Sequence, residues 1–246
     1  MPSFQEIRAD EIELAFAAET VLSDLSFTIP AGRFVSIVGP SGCGKTSLLR
    51  LVAGLQNPTR GEIQFVGAES TWPQVGYVFQ EPRLLPWRTV KENVCLPLEL
   101  LGQNGSASRE TVEQALSMVG LGEQDGKKFP RQLSGGMQMR VSLARALIRH
   151  PEILLLDEPF AALDDLLRYR LNQELLQLWQ VQQWTAIFVT HNVSEAVFLS
   201  QEVLVMKDRP SSIISRVEIP FTYPRTPELR STAEFARLTG ELSSKL

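Results

Sequence analysis

The feature that most constrains this 246-residue chain is a glycine-rich turn between a predicted strand and a predicted helix. The octapeptide GPSGCGKT, at 39–46, follows the apolar segment 34–38 and precedes a helical pattern at 48–55. A strand, a glycine-rich turn and a helix form the opening unit of an α/β fold. The sequence therefore predicts an α/β domain with this turn at the end of one of its strands.

The same octapeptide fits the pattern G-x-x-x-x-G-K-[ST], which binds the phosphates of a nucleotide. Its glycines let backbone N–H groups surround the β-phosphate, and the N-terminus of the next helix adds partial positive charge. Lys45 then supplies a cation to the β- and γ-phosphates, while the hydroxyl of Thr46 ligates Mg²⁺. A purely structural turn is a much weaker interpretation, because the motif lies between strand and helix. The predicted nucleotide-binding residues here are Gly39, Pro40, Ser41, Gly42, Cys43, Gly44, Lys45, Thr46 and Ser47.

Hydrophobic periodicity divides the rest of the chain into strand-rich and helical parts. The predicted strands are 12–16, 25–29, 34–38, 62–66, 153–156, 185–190 and 203–206, and the predicted helices are 48–55, 90–101, 109–121, 138–149 and 166–179. We interpret 86–149 as a helical subdomain inserted into an α/β nucleotide-binding core formed by 1–85 and 150–246. The proline-bearing tail from residue 211 is too short for a further domain.

Two carboxylates follow the apolar segment 153–156, whose lack of alternation is typical of a strand buried on both faces. Such a strand end places Asp157 near the metal, and Glu158 can orient and deprotonate an attacking water. An acidic strand end is a weak signal alone. Together with the phosphate-binding pattern it indicates nucleotide hydrolysis.

The tetrapeptide Leu133-Ser134-Gly135-Gly136 opens the predicted helix 138–149. A serine followed by two glycines can form a second anion-binding helix terminus. It can equally be an ordinary capped helix start, because serine is a good N-cap residue. The residues alone leave both interpretations open.

Composition narrows the class of protein. With 43% apolar residues the chain can bury a core, and a formal charge of −4 argues against a nucleic-acid partner. The longest apolar run, 14–18, is far shorter than the roughly 20 residues of a membrane-spanning helix, and the first residues lack the apolar region of a signal peptide. Two cysteines, Cys43 and Cys95, make no disulfide framework and fit a reducing cytoplasm.

The order of motifs resembles the nucleotide-binding subunits of ABC transporters along nearly the whole chain. The motifs are the phosphate loop, Gln80 after a strand, LSGG at 133–136, Asp157-Glu158, Ala162-Leu163-Asp164, and a lone histidine, His191, after a strand. The resemblance implies a P-loop NTPase core of the RecA-like type, with an N-terminal antiparallel β subdomain and an inserted helical subdomain. It also implies that two subunits enclose two ATP molecules head to tail. Ser134, Gly135 and Gly136 of one subunit would then face the γ-phosphate held by the other.

The resemblance also gives roles to residues that carry little signal alone. Gln80 would contact Mg²⁺ and the attacking water, His191 would bond the γ-phosphate, and Asp164 would lie at the dimer contact. Taken singly, Gln80 could be a surface amide and His191 an ordinary strand-end histidine. Phe16 would stack on adenine, although an aromatic in an early strand is more often part of the core. The catalytic set implied is Glu158, His191 and Gln80, and the metal set is Thr46, Gln80 and Asp157.

Two positions depart from the usual pattern of the family. Met137 stands where a glutamine commonly follows the two glycines, and Asn192 stands where an aspartate commonly follows the histidine. The phosphate contacts are implied to come from Ser134, from backbone N–H groups and from His191. We therefore expect activity to survive both departures.

The segment QEPRLLPWRTV, at 80–90, points to a subgroup of the family. Leu84, Leu85 and Trp87 are candidates for a groove in which a membrane subunit docks a helix. Local burial is an equal interpretation for the two leucines. The run LLPW, with DEPFAALD at 157–164 and Arg209-Pro210, resembles the ATPases of nitrate, sulfonate and taurine importers.

That resemblance implies an ATPase bound peripherally at the cytoplasmic face of the inner membrane. Its partners would be transmembrane permease subunits, a second copy of the chain in a homodimer and, indirectly, a periplasmic solute-binding protein. A soluble ABC ATPase not coupled to transport is the alternative, but the second module, long coiled-coil insertion or basic surface usual in such proteins is missing from the sequence. A non-hydrolysing scaffold is disfavoured because Glu158 and His191 are both present. The solute rests on resemblance alone, since this kind of subunit does not touch it.

Overall fold

A computed structural model describes residues 3–17, 19–68, 72–103 and 105–246. Ala18, the last residue of the longest apolar run, therefore lies outside the described residues. The strands are β1 (Glu6–Phe16), β2 (Glu19–Pro30), β3 (Phe34–Val38), β4 (Arg60–Val66), β5 (Val75–Val78), β6 (Ile153–Asp157), β7 (Thr185–Val189), β8 (Glu202–Met206) and β9 (Ile213–Glu218). The helices are α1 (Lys45–Val52), α2 (Val90–Leu100), α3 (Ser106–Met118), α4 (Glu123–Gly126), α5 (Gly135–Leu147), α6 (Asp165–Gln182), α7 (Val193–Leu199) and α8 (Ala233–Ser243).

A six-stranded sheet with the order β5-β6-β7-β3-β8-β9 forms the centre of the molecule. Its strands pair in parallel except for β9, which runs antiparallel to β8 at the edge. Strands β3, β6, β7 and β8 are buried at every position, as their unalternating apolar sequences predict. This is the sheet expected for an α/β nucleotide-binding core.

A second, three-stranded antiparallel sheet has the order β2-β1-β4. Strands β1 and β2 are about twice as long as the segments predicted at 12–16 and 25–29. Their register shifts where polar residues interrupt the alternation, and Glu11 and Asp24 take positive φ angles of 47° and 48° there. The predicted strands therefore begin too late, directly after Glu11 and Asp24, whereas the observed strands continue through both residues.

Helices α2 to α5 lie between β5 and β6 in the chain, where the helical insertion is predicted. Helix α5 packs against α2, α3 and β5. The helix predicted at 138–149 begins earlier, at Gly135, because Ser134 caps it by accepting a hydrogen bond from the Met137 N–H. Among the described residues, no helix has the length and apolar character needed to cross a bilayer.

The tail after residue 211 contains two elements that sequence analysis missed. Strand β9 extends the large sheet, and α8 packs against α7, which was also not predicted. The alternating half-buried pattern of β9 is that of an edge strand, which a search for continuous apolar runs overlooks. The tail therefore completes the core and forms no separate domain.

The large sheet separates two apolar layers. Phe34 and Val38 of β3 face the layer formed largely by the helices α2, α3 and α5–α8, whereas Val35 and Ile37 face α1 and the three-stranded sheet. The carboxyl ends of the parallel strands lie between these layers. In open α/β sheets, ligands bind at these strand ends.

Candidate functional site

The sheet order brings four of the predicted motifs to neighbouring strand ends. The phosphate loop follows β3, His191 follows β7, Asp157 and Glu158 end β6, and Gln80 follows β5. In the chain these motifs are dispersed over about 150 residues, but the order β5-β6-β7-β3 places them side by side. Parallel pairing of β6 with β7 sets Asp157 opposite Val189, next to the histidine segment.

Two glycines of the phosphate loop are required by close packing. A Cβ atom on Gly44, whose φ is 106°, would lie 2.9 Å from side-chain atoms of both Val21 and Leu22 in β2. A Cβ atom on Gly39 would lie 2.9 Å from the carbonyl oxygen of Met206. Helix α1 begins directly after Gly44, so its free N–H groups open onto the loop.

The Lys45 side chain is buried at the loop, with only 4% of it exposed. Its Nζ atom donates hydrogen bonds of 2.8 Å to the carbonyl oxygens of Gly39 and Pro40 and lies 3.9 Å from Oε1 of Glu158. A buried cation needs such partners. The ammonium group is thus placed where it can meet an anion that enters the loop.

Asp157 connects the loop helix with two strands. Its Oδ1 atom accepts a hydrogen bond of 2.9 Å from the Thr46 hydroxyl, and its Oδ2 atom accepts one of 3.2 Å from the Tyr77 hydroxyl. Burial raises the pKa of the Asp157 carboxyl, and these two hydrogen bonds oppose the rise. A hydroxyl and a carboxylate this close are hard oxygen donors of the kind that Mg²⁺ prefers. Tyr77 was not predicted, since a tyrosine within a strand has no motif of its own.

Glu158 and His191 form the most direct contact between two predicted catalytic residues. The His191 Nδ1 atom lies 2.8 Å from Oε2 of Glu158. Glu158 has a φ of 45°, and its N–H donates to the Val189 carbonyl oxygen at 3.0 Å, which fixes the turn after β6. The histidine ring is 52% exposed and the glutamate side chain 19% exposed, so the pair lies at the surface of the strand ends.

Gln80 is exposed at the end of β5, where the loop 80–89 begins. Two residues that sequence analysis missed hold this loop. Arg145 donates to the carbonyl oxygens of Pro82 and Arg83 at 2.8 and 2.9 Å. The side-chain amide of Asn93 is fully buried. Its oxygen accepts a hydrogen bond from the Leu85 N–H, and its nitrogen donates to the carbonyl oxygens of residues 85, 88 and 89.

The three apolar candidates in this loop differ in exposure. Leu84 is half-buried and packs against the core, so local burial is the better interpretation for that residue. Leu85 is also half-buried. The Trp87 side chain, in contrast, is exposed, with 71% of the residue accessible to solvent. An apolar contact surface in this loop therefore depends on Trp87.

The LSGG residues and Asp164 lie apart from this site, on what is called here the exposed surface and is defined by residues 134–136 and 163–164. Ser134, Gly135 and Asp164 are exposed there, whereas Gly136 is buried and Leu163 is half-buried. Asp164 caps α6 by accepting a hydrogen bond of 3.0 Å from the Leu167 N–H. A Cβ atom on Gly135 would lie 3.4 Å from Leu163, so the two segments are adjacent. In the described part of the chain, the side-chain hydrogen bonds of Ser134 and Asp164 stay within their own helix starts. Among the described residues, no hydrogen bond or ion pair joins this surface to the phosphate loop of the same chain.

Phe16 lies at the tip of the β1–β2 hairpin with 52% exposure, opposite Glu19. Arg209, for which no role at the site was predicted, connects this hairpin to the phosphate loop. Its guanidinium ion-pairs with Glu19 and donates a 2.8 Å hydrogen bond to the carbonyl oxygen of Gly42. The neighbouring hydroxyl of Ser211, which is fully buried, donates to the carbonyl oxygen of Cys43.

Both departures from the family pattern have a structural role. Met137 is half-buried and packs against the helical layer of the core. Asn192 caps α7 by accepting a 3.2 Å hydrogen bond from the Glu195 N–H. Asparagine and aspartate are equally good caps, so this role does not require the usual aspartate.

Comparison with known proteins identifies the family. The family model described as ABC transporter matches residues 22–161. The aliphatic sulfonates import ATP-binding protein SsuB of Bacillus subtilis is 40% identical over 239 residues, covering 95% of this chain and 91% of that protein. Its counterpart in Rhodopseudomonas palustris is 46% identical, covering 93% of this chain and 78% of that protein. An uncharacterised ABC transporter ATP-binding protein of Methanocaldococcus jannaschii is also 46% identical, covering 87% and 79%.

Solved structures agree with the fold. A dimeric ATP-binding cassette in a post-hydrolysis state with ADP and Pi has a TM-score of 0.76 and 30% identity to this chain. The alignment covers 88% of this chain and all of that structure. The predicted fold class is thereby confirmed. This chain belongs to the ABC transporter family, as one of its ATP-hydrolysing cassettes.

Proposed function

We propose that this chain powers the import of an aliphatic sulfonate, or a similar small solute such as nitrate or taurine, by hydrolysing ATP as a Mg²⁺-dependent dimer. The observation that supports hydrolysis best is the placement of Glu158 between Lys45 and His191. A carboxylate in contact with a histidine and close to a phosphate-binding lysine is positioned to act on a water beside the γ-phosphate.

The phosphate loop binds the nucleotide in this proposal. Residues Gly39 to Ser47, apart from Pro40, provide backbone N–H groups, and α1 provides its N-terminus. Lys45 exchanges its carbonyl partners for phosphate oxygens. Phe16, tied to the loop through Glu19 and Arg209, stacks on adenine. Thr46, Asp157 and Gln80 would hold Mg²⁺, and their oxygen atoms suit that ion. When bound, this ion would supply positive charge that offsets the negative charge of the phosphates.

Proton transfer is the task of the Glu158–His191 pair. Glu158 accepts the proton of the attacking water, and His191 holds the carboxylate through the 2.8 Å contact while its ring remains exposed toward the γ-phosphate position. Gln80, at the adjacent strand end, orients the water. Its loop is fixed by Asn93 and Arg145, so changes on that loop reach the water position.

A second copy of the chain completes each site. The exposed surface formed by residues 134–136 and 163–164 has the serine hydroxyl, the helix N-terminus and the carboxylate needed at a dimer contact. Similar cassettes have been solved as dimers, one of them with ADP and Pi. Ser134 and Gly135 of one copy would face the γ-phosphate in the other, and Asp164 would lie beside it.

The transport partners follow from the relatives and from the loop 80–89. Two relatives are named import ATP-binding proteins for aliphatic sulfonates. We assign residues 86–149 to a helical subdomain that docks permease subunits, with Trp87 as its exposed apolar contact. A periplasmic solute-binding protein would deliver the solute to the permease. The chain would then lie on the cytoplasmic face of the inner membrane.

The variant Glu158→Gln tests the hydrolytic role. It removes the base and keeps the shape, so turnover should fall by about 10²–10⁴-fold. ATP affinity should stay within about threefold, and ATP should hold the protein as a dimer that size-exclusion chromatography detects. Glu152→Gln is the matched control because Glu152 lies at the opposite end of β6, and its turnover should equal that of the parent. Unchanged turnover in Glu158→Gln would remove that residue from the role of base.

The same variant tests transport in the cell. A strain without this chain should regain uptake of labelled alkanesulfonate when the parent sequence is supplied, and should not regain it with Glu158→Gln. Restoration of nitrate or taurine uptake instead would correct the solute and leave the ATPase role intact. Uptake that does not depend on the chain at all would favour a soluble ABC ATPase.

A further inference from the structure

Glu195 is a buried carboxylate that the mechanism above does not use. It lies in the first turn of α7, and its side chain is 4% exposed. Its Oε2 atom accepts a 2.6 Å hydrogen bond from the Thr190 hydroxyl, and its Oε1 atom accepts a 3.3 Å bond from the Asn172 amide. Because burial of a carboxylate is costly, a position that retains one requires a reason.

The first reason lies on the histidine side. Thr190 immediately precedes His191, and its hydroxyl donates to Glu195 while accepting a 3.0 Å hydrogen bond from the Asn192 N–H. The residues on both sides of His191 are therefore bonded to one hydroxyl that Glu195 orients. The carboxylate sets the backbone that carries the histidine.

The second reason lies on the Asp164 side. The Arg168 Nε atom is 3.9 Å from Glu195 Oε1. The same guanidinium donates to the carbonyl oxygens of Phe160 and Leu163 at 3.3 and 2.7 Å. These carbonyls belong to the turn that leads from Glu158 to Asp164. Glu195 thus faces the arginine that shapes the turn to the proposed dimer contact.

Charged and polar groups from several elements surround the Glu195 carboxyl. Arg230 donates to the Ser194 hydroxyl at 2.7 Å, and its charge acts on Glu195. Burial raises the pKa of the Glu195 carboxyl, while the bonds from Thr190 and Asn172 and the charges of Arg168 and Arg230 oppose the rise. In such a dry environment, charge-assisted contacts are stronger than at the surface.

We propose that Glu195 is a positioning residue that couples the His191 segment to the Asp164 turn, so that closure of the ATP-bound dimer depends on it. This inference rests on the proposed function of the chain as a dimeric ATPase. On one side the Glu195 carboxylate accepts a hydrogen bond from Thr190, and on the other it lies 3.9 Å from Arg168, whose guanidinium donates to the turn. A shift of either segment therefore disturbs the contacts to the other. The positions of His191 and of the Asp164 turn therefore depend on each other through Glu195.

The variant Glu195→Gln separates the two connections. The amide oxygen can still accept from Thr190, whereas the amide nitrogen would face the Arg168 guanidinium. Asn172 can accommodate this nitrogen by turning its own amide, because its Oδ1 atom has no hydrogen-bond partner among the described residues. The connection to His191 is then kept, and the connection to Asp164 is lost.

The experiment places Glu195→Gln in the Glu158→Gln background and measures the ATP-dependent dimer by analytical ultracentrifugation. We expect the dimer dissociation constant to rise at least tenfold, while ATP affinity of the monomer stays within twofold. In the otherwise unmodified chain, Glu195→Gln should lower kcat and leave the KM for ATP nearly unchanged. A loss of general folding would instead affect monomer affinity and dimer affinity together.

Glu202→Gln in the same background is the matched control. Glu202, on β8, is equally buried, at 4% side-chain exposure. Its ion-pair partners are Arg216 at 2.6 Å and Arg33 at 3.7 Å. This control should dimerise like the parent. Equal dimerisation of Glu195→Gln and parent, or equal weakening of both buried variants, overturns the inference. If Glu195→Gln does not fold, Thr190→Val tests the inference instead. It replaces only the hydroxyl that bonds Glu195 and should weaken the dimer, and a dimer as stable as that of the parent would overturn the inference.

Failure of the two proposals can be told apart. If Glu158→Gln alone does not dimerise with ATP, the proposed dimeric ATPase is wrong and this inference is overturned with it. If Glu158→Gln dimerises and the added change at Glu195 has no effect, only the coupling is wrong.

Discussion

The strand-end site and the exposed surface of residues 134–136 and 163–164 show opposite ways of using polar groups. At the strand ends, Lys45, Asp157, Glu158 and His191 each contact another part of the site within the same chain. On the exposed surface, the described polar contacts of Ser134 and Asp164 only cap their own helices. One chain therefore pairs the polar groups of its strand-end site internally and leaves a second face able to accept a partner.

Gly135→Asp tests the exposed surface and should have a larger effect on turnover than Arg209→Ala or Asn192→Ala. The glycine is exposed at the first position of α5, where a Cβ atom has room and a carboxylate suits a helix N-terminus. The fold should therefore be kept. Across a dimer, the carboxylate would face the γ-phosphate, and like charges there cost about 3 kcal/mol or more, so turnover should fall by roughly 100-fold or more. Steady-state turnover and monomer ATP affinity provide the measurement.

Gly122→Asp is the control for that prediction. It adds the same charge at another helix start, that of α4, and should leave turnover unchanged. A Gly135→Asp protein with normal turnover would show that the exposed surface does not meet a nucleotide.

Arg209→Ala should have a smaller effect, on the strand-end side of the comparison. It removes the ion pair to Glu19 and the hydrogen bond to the Gly42 carbonyl oxygen. Loss of about 1 kcal/mol of loop positioning should raise the KM for ATP about fivefold, with kcat nearly constant. Initial rates over a range of ATP concentrations give both constants.

Arg216→Ala is a close match to that change. Arg216 has similar exposure, pairs with Glu202 at 2.6 Å and donates to the Thr28 carbonyl oxygen, but it does not touch the phosphate loop. It should lower thermal stability without changing the KM. If both variants change the KM equally, Arg209 has no special link to the loop.

Asn192→Ala should have the smallest effect on turnover. It removes the cap of α7 and should cost about 1 kcal/mol of stability, which lowers Tm by about 2–4 °C in a protein of this size. Turnover should fall less than twofold at 25 °C, because His191 keeps its contact with Glu158. Asn192→Asp keeps a cap and should match the parent in both thermal melting and turnover. A large loss of turnover in Asn192→Asp would mean that the amide itself acts in the site.

The strand-end motifs could be predicted because each is local and recognisable. The phosphate loop and Asp157-Glu158 each contain the residues needed for their chemistry within a few consecutive positions. The buried strands before them have continuous apolar sequences. Once a parallel sheet is assumed, its geometry brings these ends together. The α/β class followed from the strand, glycine-rich turn and helix, and most of the helices followed from hydrophobic periodicity. The RecA-like core with its antiparallel β subdomain was implied by the family resemblance.

The residues that support these motifs could not be predicted, because their roles come from contacts distant in sequence. Tyr77 meets Asp157 from 80 residues away, and Arg209 meets Gly42 from 167 residues away. Asn93 and Glu195 are polar residues in helices, where the usual expectation is a solvated side chain, yet both are buried. Only the folded chain shows that they have partners.

The packing of α8 against α7 has a practical consequence for following the protein in solution. Helix α7 starts beside His191, so the outer face of α8 is two helices removed from the reacting end of the nucleotide. A fluorophore attached through a cysteine at Arg237, whose side chain is 72% exposed, would sit on that face without entering the site. With the partly exposed Cys95 replaced by serine and Cys43 buried, such a dye would label a single chosen position, so its signal would report on α8 alone.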